Sequence, residues 1–426
     1  MRILLLGAGG FIGRHLLADL LAAGHDVIGL VRSTRLLADA FPEAHFVSMD
    51  LAKATRVDVW DGHLAGVDVI VNAAGLLRGR DMDAVHVAMP AALYEAAETA
   101  EVKRVVLISA ISARADVETD YARSKLAGEE TLRATTLDWT ILRPSLIYGD
   151  GSYGGTSLMR GMAGLPLVTP IPGNGAFAFT PLHVSDLAHV VRLACEGKMA
   201  PRQTLEPVGP DTLTLRELLT RYRAWLGFGM ANFLPVPMPV MRLMGRVGDW
   251  LGDGPISTNS LEQMIAGNAG NSAAFAHAIG FAPRSLATAL RDRPAQVQDR
   301  WHARLFFLAP ALQAILILMW LTSAWLGLFY GAVQTERVTH AIGLPASWNT
   351  PLQLGSSILD IVIAVQLMLD RSAARAGATQ LAVVASYTLV LGTALPALWL
   401  DPLGPLLKNL PIMVAIAMYG VIGNKR

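Results

Sequence analysis

The sequence predicts an α/β chain in two parts: a doubly wound parallel sheet with a small substrate lobe, then an all-α bundle of four transmembrane helices. Three observations predict this. Short apolar runs alternate with amphipathic stretches over residues 1–290. A glycine-rich turn follows the first run. Past residue 304 the chain turns apolar in four blocks. At 426 residues it is also too long for one ordinary domain.

The runs 3–6, 26–31, 45–48, 68–72, 104–109 and 139–143 are short, apolar and bounded by turn residues, so they read as strands. Between them lie helical patterns. Leu16, Leu17, Leu20 and Leu21 mark one helix face, and Gly24 follows as its C-terminal glycine. Strand–helix alternation predicts parallel strands with right-handed crossovers.

Composition supports the second part. Hydrophobic residues make up 53% and charged residues 16%, with a mean hydropathy of +0.41. A net charge of +1 argues against a nucleic-acid partner, which needs a basic field. Cys195 is the only cysteine, so no internal disulfide can form, and its apolar helical run reads as a buried thiol. The short run Met1-Arg2-Ile3-Leu4-Leu5-Leu6 leads straight into the glycines, unlike a signal peptide.

Residues 291–304 read as a basic linker, with Arg291, Arg293, Arg300, Arg304 and Pro294. The spans are expected at 305–330, 352–369, 381–400 and 410–423, since a crossing helix needs roughly 20 apolar residues. With four spans, the linker, Arg371, Arg375 and the tail Asn424-Lys425-Arg426 share one side. The positive-inside rule then places both termini in the cytoplasm, at the inner (cytoplasmic) membrane. Trp325, Tyr330, Trp348 and Trp399 fall near the interfaces. Asp360 and Lys408 are ionisable residues in or near spans, where charge is costly.

Gly7-Ala8-Gly9-Gly10-Phe11-Ile12-Gly13 closes the first strand and opens the first helix. That context makes it a dinucleotide-binding Rossmann turn, with backbone N–H groups and a helix N-terminus facing a pyrophosphate. An acidic residue about 20 positions on binds the ribose of NAD in such folds. Here Arg32 stands in its place, with Arg35 nearby. An arginine pairs with a 2′-phosphate, so NADP(H) is favoured over NAD(H).

Through Gly7, Gly10 and Gly13 the chain resembles the short-chain dehydrogenase/reductase superfamily, of the extended or atypical kind. Asp50-Leu51 is similar to the pair that meets the adenine. Val71-Asn72-Ala73-Ala74-Gly75 resembles the segment beside the cofactor. Tyr121-Ala122-Arg123-Ser124-Lys125 matches the family's Tyr-x-x-x-Lys. Leu142-Arg143-Pro144 with Tyr148-Gly149, and His183-Val184-Ser185-Asp186-Leu187-Ala188, are similar to later motifs of the extended branch. The resemblance assigns Gly7, Gly9, Gly10, Phe11, Ile12, Gly13, Asp50, Leu51, Asn72, Ala73, Ala74, Lys125 and Pro144 to the cofactor. Within the superfamily, the short link from Ser109 to Tyr121 and the His86 segment resemble the branch of the 39-kDa-type accessory subunit of complex I. The last part, around Asp401-Pro402-Leu403-Gly404-Pro405, resembles the DoxX-like membrane family.

Tyr121 and Lys125 lie four apart, on one helix face. A nearby ammonium favours the phenolate, so Tyr121 could exchange a proton with a substrate oxygen while hydride moves. Ser109 is the first choice for polarising the substrate carbonyl, and Ser112 the alternative. The chain departs from the extended pattern at Leu6, where Thr is usual, and at His86, where Asn is usual.

Residues 151–181, rich in Gly and Pro, read as a long loop over the cofactor, and 201–290 complete the lobe. Residues 228–251 read either as an interfacial helix or as lobe core. No His-Glu-x-x-His, Cys-x-x-Cys, Gly-x-Ser-x-Gly or Gly-Lys-Ser/Thr motif is present, so no metal is expected. The expected function is an NADP(H)-dependent oxidoreductase, or an epimerase/dehydratase-like enzyme, on a lipid-like carbonyl or alcohol. The alternatives are a nucleotide-binding assembly factor for a membrane complex and a redox sensor.

Overall fold

The computed structural model describes residues 1–151, 153–251, 257–370, 372–402 and 404–423. Leu403, Arg371 and the tail 424–426, used above, lie outside the described residues. The chain divides into two units, Met1–Ala303 and Arg304–Arg426.

The first unit is built on a parallel sheet. Its strands are β1 (Arg2–Leu6), β2 (Asp26–Val31), β3 (His45–Ser48), β4 (Val69–Asn72), β5 (Arg104–Ile108) and β6 (Asp138–Leu142). A seventh, polar strand, Gln203–Leu205, was not expected; at three residues it shows no periodicity. The order across the sheet is Gln203–Leu205, β6, β5, β4, β1, β2, β3, a Rossmann-like arrangement. Central strands are buried on both faces, which explains their unbroken apolar runs. Strand order reverses between β1 and β4, so their carboxyl ends open the crevice in which such sheets bind ligands.

Helices α1 (Phe11–Ala22), α2 (Arg35–Ala40), α3 (Met89–Thr99), α4 (Asp120–Arg133), α5 (Gly155–Ala163) and α6 (Val184–Cys195) follow. α1 buries Leu16, Leu17 and Leu20 and ends in a Schellman turn. Gly24 there has φ +79°, and His25 N–H reaches Leu20 O at 3.1 Å. Cys195 is buried.

The lobe adds α7 (Leu215–Trp225), α8 (Met238–Leu251), α9 (Thr258–Ala266), α10 (Ser272–Ile279) and α11 (Leu286–Asp292). Thr214 and Glu217 form a capping box on α7. The stretch expected as a long loop contains α5 and the strand Thr169–Pro172, which pairs with Phe233–Val236. Burial of Thr156, Met159, Arg160 and Ala163, at helical spacing, stabilises α5 despite its glycines.

Residues 291–304 are not a linker. α11 runs to Asp292 and α12 (Val297–Tyr330) has already begun by Asp299. Asp299 is buried and accepts from Gln296 N–H at 2.9 Å, Arg293 at 3.2 Å and Arg160 at 3.5 Å. The arginines that suggested a solvated linker are in part lobe ion pairs.

The second unit continues α12 and adds α13 (Ala332–Ala341), α14 (Asn349–Leu369), α15 (Ala373–Ala394) and α16 (Asn409–Ile422). Among the described residues, three helices are long and apolar enough to cross a membrane, against four expected. α16 has 14 residues, about 21 Å at 1.5 Å per residue, short of a hydrocarbon core of about 30 Å. The third span lies at Ala373–Ala394, because the helix ends before Pro396. The unit is apolar outside, and its apolar interior holds several buried polar groups. Leu318, Phe329 and Val362 are exposed, while Gln380, Ser357 and Asp360 are buried, the reverse of a soluble bundle. Ser323 donates to Asp360 at 2.7 Å, and Trp320 to Gln380 at 2.9 Å. Lys408 is exposed beside α16 and does not pair with Asp360.

Candidate functional site

β1 delivers the chain into the glycine turn and α1 leaves it. Gly7 has φ +74°, and a Cβ there would lie 2.9 Å from Ala73 O. A Cβ on Gly13 would lie 2.0 Å from Gly7 O, so turn and helix meet only through glycine. Gly10 caps α1 without a side-chain bond, and the first turn holds no acid. The N–H groups of Phe11, Ile12 and Gly13 are therefore not claimed by a side chain, and Gly9 and Gly10 are exposed. This cradle fits an anionic pyrophosphate. Phe11 is covered by Gly149, where a Cβ would meet its ring at 3.2 Å. Ile12 packs on the core.

The turn faces the end of β2, since a Cβ on Gly9 would stand 3.4 Å from Leu37 and 3.7 Å from Val31. Arg32 is exposed there and makes no ion pair among the described residues. Arg35 opens α2, also exposed. Asp50 accepts from Ala52 N–H at 3.3 Å and pairs with Lys53 at 3.5 Å. Leu51 packs under the sheet.

Asn72 ends β4, buried. It donates to the Tyr94 hydroxyl and accepts from Ala74 N–H, both at 3.2 Å. Its carboxamide thus shapes the 73–75 turn, which Ala73 N–H ties to Leu6 O at 3.2 Å. Thr119 caps α4, accepting from Ala122 N–H at 3.1 Å. Tyr121 and Lys125 then lie one turn apart. The Lys125 ammonium donates to Ile108 O at 3.1 Å and Ala74 O at 3.4 Å. A Cβ on Gly75 would come within 3.1 Å of it. Burial lowers Lys125 to about 8, partly opposed by the Glu129 carboxylate. Desolvation pushes the half-buried Tyr121 up to about 12.

His86 sits in a single π-helical turn, Ala84–Ala88, a bulge of the kind that marks functional sites. Leu76 N–H donates to its Nε2 at 3.0 Å, so Nδ1 carries the proton and donates to Ser124 Oγ at 2.9 Å. Ser124 in turn donates to Tyr121 O at 3.1 Å. The His86 and Tyr121 rings meet edge to face at 5.7 Å. Burial, with the Lys125 charge, lowers His86 to about 3, so it is neutral.

Ser109 is not free toward a substrate. It donates to Glu129 at 2.5 Å, and Glu129 is fully buried. Arg143 pairs with that carboxylate at 2.6 Å and Arg133 at 2.8 Å. Sequence reading missed Glu129; its one signal was a carboxylate four residues past Lys125. Ser112 is also buried, but its hydroxyl has no hydrogen bond among the described residues. Pro144 places its carbonyl 3.0 Å from Ile111 N–H and so holds the serine loop. Among the described residues no group of His, Cys, Asp and Glu is arranged to hold a metal.

Residues 7–163 match the NAD(P)H-binding family, and 317–417 match the DoxX-like family. The chain is similar to a ceramide reductase of Caulobacter vibrioides, 30% identical over 223 residues, covering 51% of this chain and 68% of that one. It is also similar to the mitochondrial NADH dehydrogenase (ubiquinone) 1 alpha subcomplex subunit 9 of Mus musculus, 27% identical over 262 residues. That match covers 58% of this chain and 64% of the mouse protein, just under two thirds. In fold it is similar to a nucleoside-diphosphate-sugar epimerase from Staphylococcus aureus, with TM-score 0.55 and 16% identity, covering 68% of this chain and 100% of that one.

Proposed function

The chain belongs to the NAD(P)H-binding family that includes this ceramide reductase, joined to a DoxX-like domain, and on that premise we propose that it is a membrane-anchored, NADP(H)-dependent oxidoreductase reducing a hydrophobic carbonyl. One observation carries the reading: a buried Lys125 ammonium one helical turn from Tyr121, beside the loop that follows the glycine-turn strand's neighbour β4.

The bound dinucleotide would supply hydride. Gly7, Gly9, Gly10 and the first turn of α1 would hold its pyrophosphate, and Arg32 its 2′-phosphate. Tyr121 does the proton chemistry. Its raised pKa keeps it protonated at neutral pH, which suits an acid delivering a proton to a carbonyl oxygen. Lys125 stabilises the phenolate left behind. With Ser109 committed to Glu129, Ser112 is the serine that can meet the substrate oxygen. A hydrophobic substrate is supported by the membrane part and by the relative's printed activity. The nucleotide unit is cytoplasmic in this reading, at the inner membrane, with its arginines on the side the positive-inside rule favours.

Tyr121→Phe tests it. Carbonyl reduction falls about 100- to 10,000-fold while NADPH still raises the melting temperature. Unchanged function in that variant supports the second reading, a nucleotide-stabilised subunit of a membrane complex. The similarity to the complex I subunit and the engaged Ser109 favour that alternative.

A further inference from the structure

We propose that α8 is an interfacial helix that seats the rim of the cleft on a lipid bilayer. Val240, Leu243, Met244, Val247 and Trp250 recur at helical spacing within an arc of about 120°. All are exposed, from 44% at Met244 to 85% at Trp250. The arc is not unfinished lobe core, because a different face of α8 docks on the lobe. Gly245 is buried there, where a Cβ would stand 3.1 Å from the Thr258 backbone. Asp249 accepts from Thr258 N–H at 3.2 Å on the same side of the arc.

Arg246 borders the arc next to Trp250 and is exposed, while Arg242 lies further round, toward the face that meets α9. Arg242 approaches Glu262 at 3.5 Å; Arg246 makes no ion pair among the described residues. An apolar arc, a basic margin and an exposed tryptophan are the features of a helix lying in the headgroup–acyl boundary. The preceding strand adds exposed Leu234. The occupant is a bilayer because the chain carries its own anchor. Ala303, the last residue of this unit, precedes the apolar body of a candidate span in the same helix. The arginine margin also complements anionic headgroups.

α8 lies one helix from the cleft. α9, against which it packs, donates from Asn259 to Leu77 O at 2.6 Å, and its last carbonyl, Ala266 O, accepts from Arg114 at 3.0 Å. Leu77 follows the Leu76 that bonds His86, and Arg114 follows the serine loop. A lipid leaving the bilayer at this rim meets the Tyr121 side of the cleft. That substrate route rests on the oxidoreductase reading; the membrane seat does not.

The full chain is the material for the test. Cys195 is buried, so Leu243→Cys, Val247→Cys and, as a water-facing control, Glu43→Cys each introduce one accessible thiol. Each is labelled with nitrobenzoxadiazole and reconstituted in phosphatidylcholine–phosphatidylglycerol vesicles. The expected result is blue-shifted emission at 243 and 247, quenched several-fold more by doxyl-phosphatidylcholine than by iodide, with the reverse at 43. Iodide quenching at 243 and 247 equal to that at 43 overturns the proposal. Shielding from both quenchers also overturns it, in favour of a protein partner or second copy. No turnover is measured, so an inactive enzyme leaves these outcomes unchanged.

Discussion

Ser109 and Glu129 share a 2.5 Å hydrogen bond at the end of β5, which commits the Ser109 hydroxyl to a buried carboxylate. Ser109→Ala removes one of three partners of a buried carboxylate that two arginines still neutralise. The expected cost is about 1–2 kcal/mol of stability, with turnover preserved at permissive temperature. Glu129→Ala leaves Arg143 without its buried partner and costs about 3–5 kcal/mol. Thermal or urea unfolding of the detergent-purified variants measures both. A large loss of kcat in Ser109→Ala with unchanged stability would restore Ser109 to the catalytic role.

Lys125 sets the alkaline limb. It holds its charge below about 8 and loses it above. NADPH-dependent reduction should therefore decline as pH rises through about 8, while Tyr121, raised to about 12, remains protonated. Stability moves the other way. Between about pH 8 and 10 the unfolded lysine binds more protons than the folded one, so stability rises with pH over that window. A pH–rate profile and melting curves on one preparation check the pair of slopes. Lys125→Met should flatten the contribution of this site to both.

His86 sets the acid limb. Its folded pKa of about 3 lies below the ordinary 6.5, so the unfolded state binds the extra proton between them. The stability His86 contributes is full above about pH 6.5 and falls as pH drops toward 3. His86→Asn, a neutral side chain that can still bond Leu76 N–H, should lose less stability between pH 7 and pH 5 than the wild type does. Equal losses would show that His86 does not govern this limb.

The nucleotide half was legible because its constraints are local. A parallel strand buried on both faces is an apolar run, and the Gly13–Gly7 contact leaves no room for a side chain, so both appear in the sequence as such. The engagement of Ser109 was not legible because its partner Glu129, and the Arg143 that pairs with Glu129, lie 20 and 34 positions away, and only the fold brings them together. Arg293 looked like a solvated linker charge because Asp299, which organises that corner, stands among several basic residues. α8 could not be assigned from its composition alone. An apolar helical face has one pattern whether it is covered by protein or by lipid, and the buried Gly245 is what distinguishes the two.

In the proposed reading, Arg32 carries the cofactor preference. It stands at the end of β2 where an acid would repel a 2′-phosphate, with no competing ion pair among the described residues. A charge-assisted bond to that phosphate contributes about 1.5–3 kcal/mol. Arg32→Ala should therefore weaken NADPH roughly 10- to 100-fold and leave NADH nearly unchanged. Arg32→Asp should go further and favour NADH, since a carboxylate there accepts from the ribose hydroxyls. Titration calorimetry of both dinucleotides against the three proteins is the measurement. If Arg32→Ala binds NADPH and NADH in the same ratio as the wild type, Arg32 is only a solvated strand-end charge, and the preference for NADP(H) must be given up.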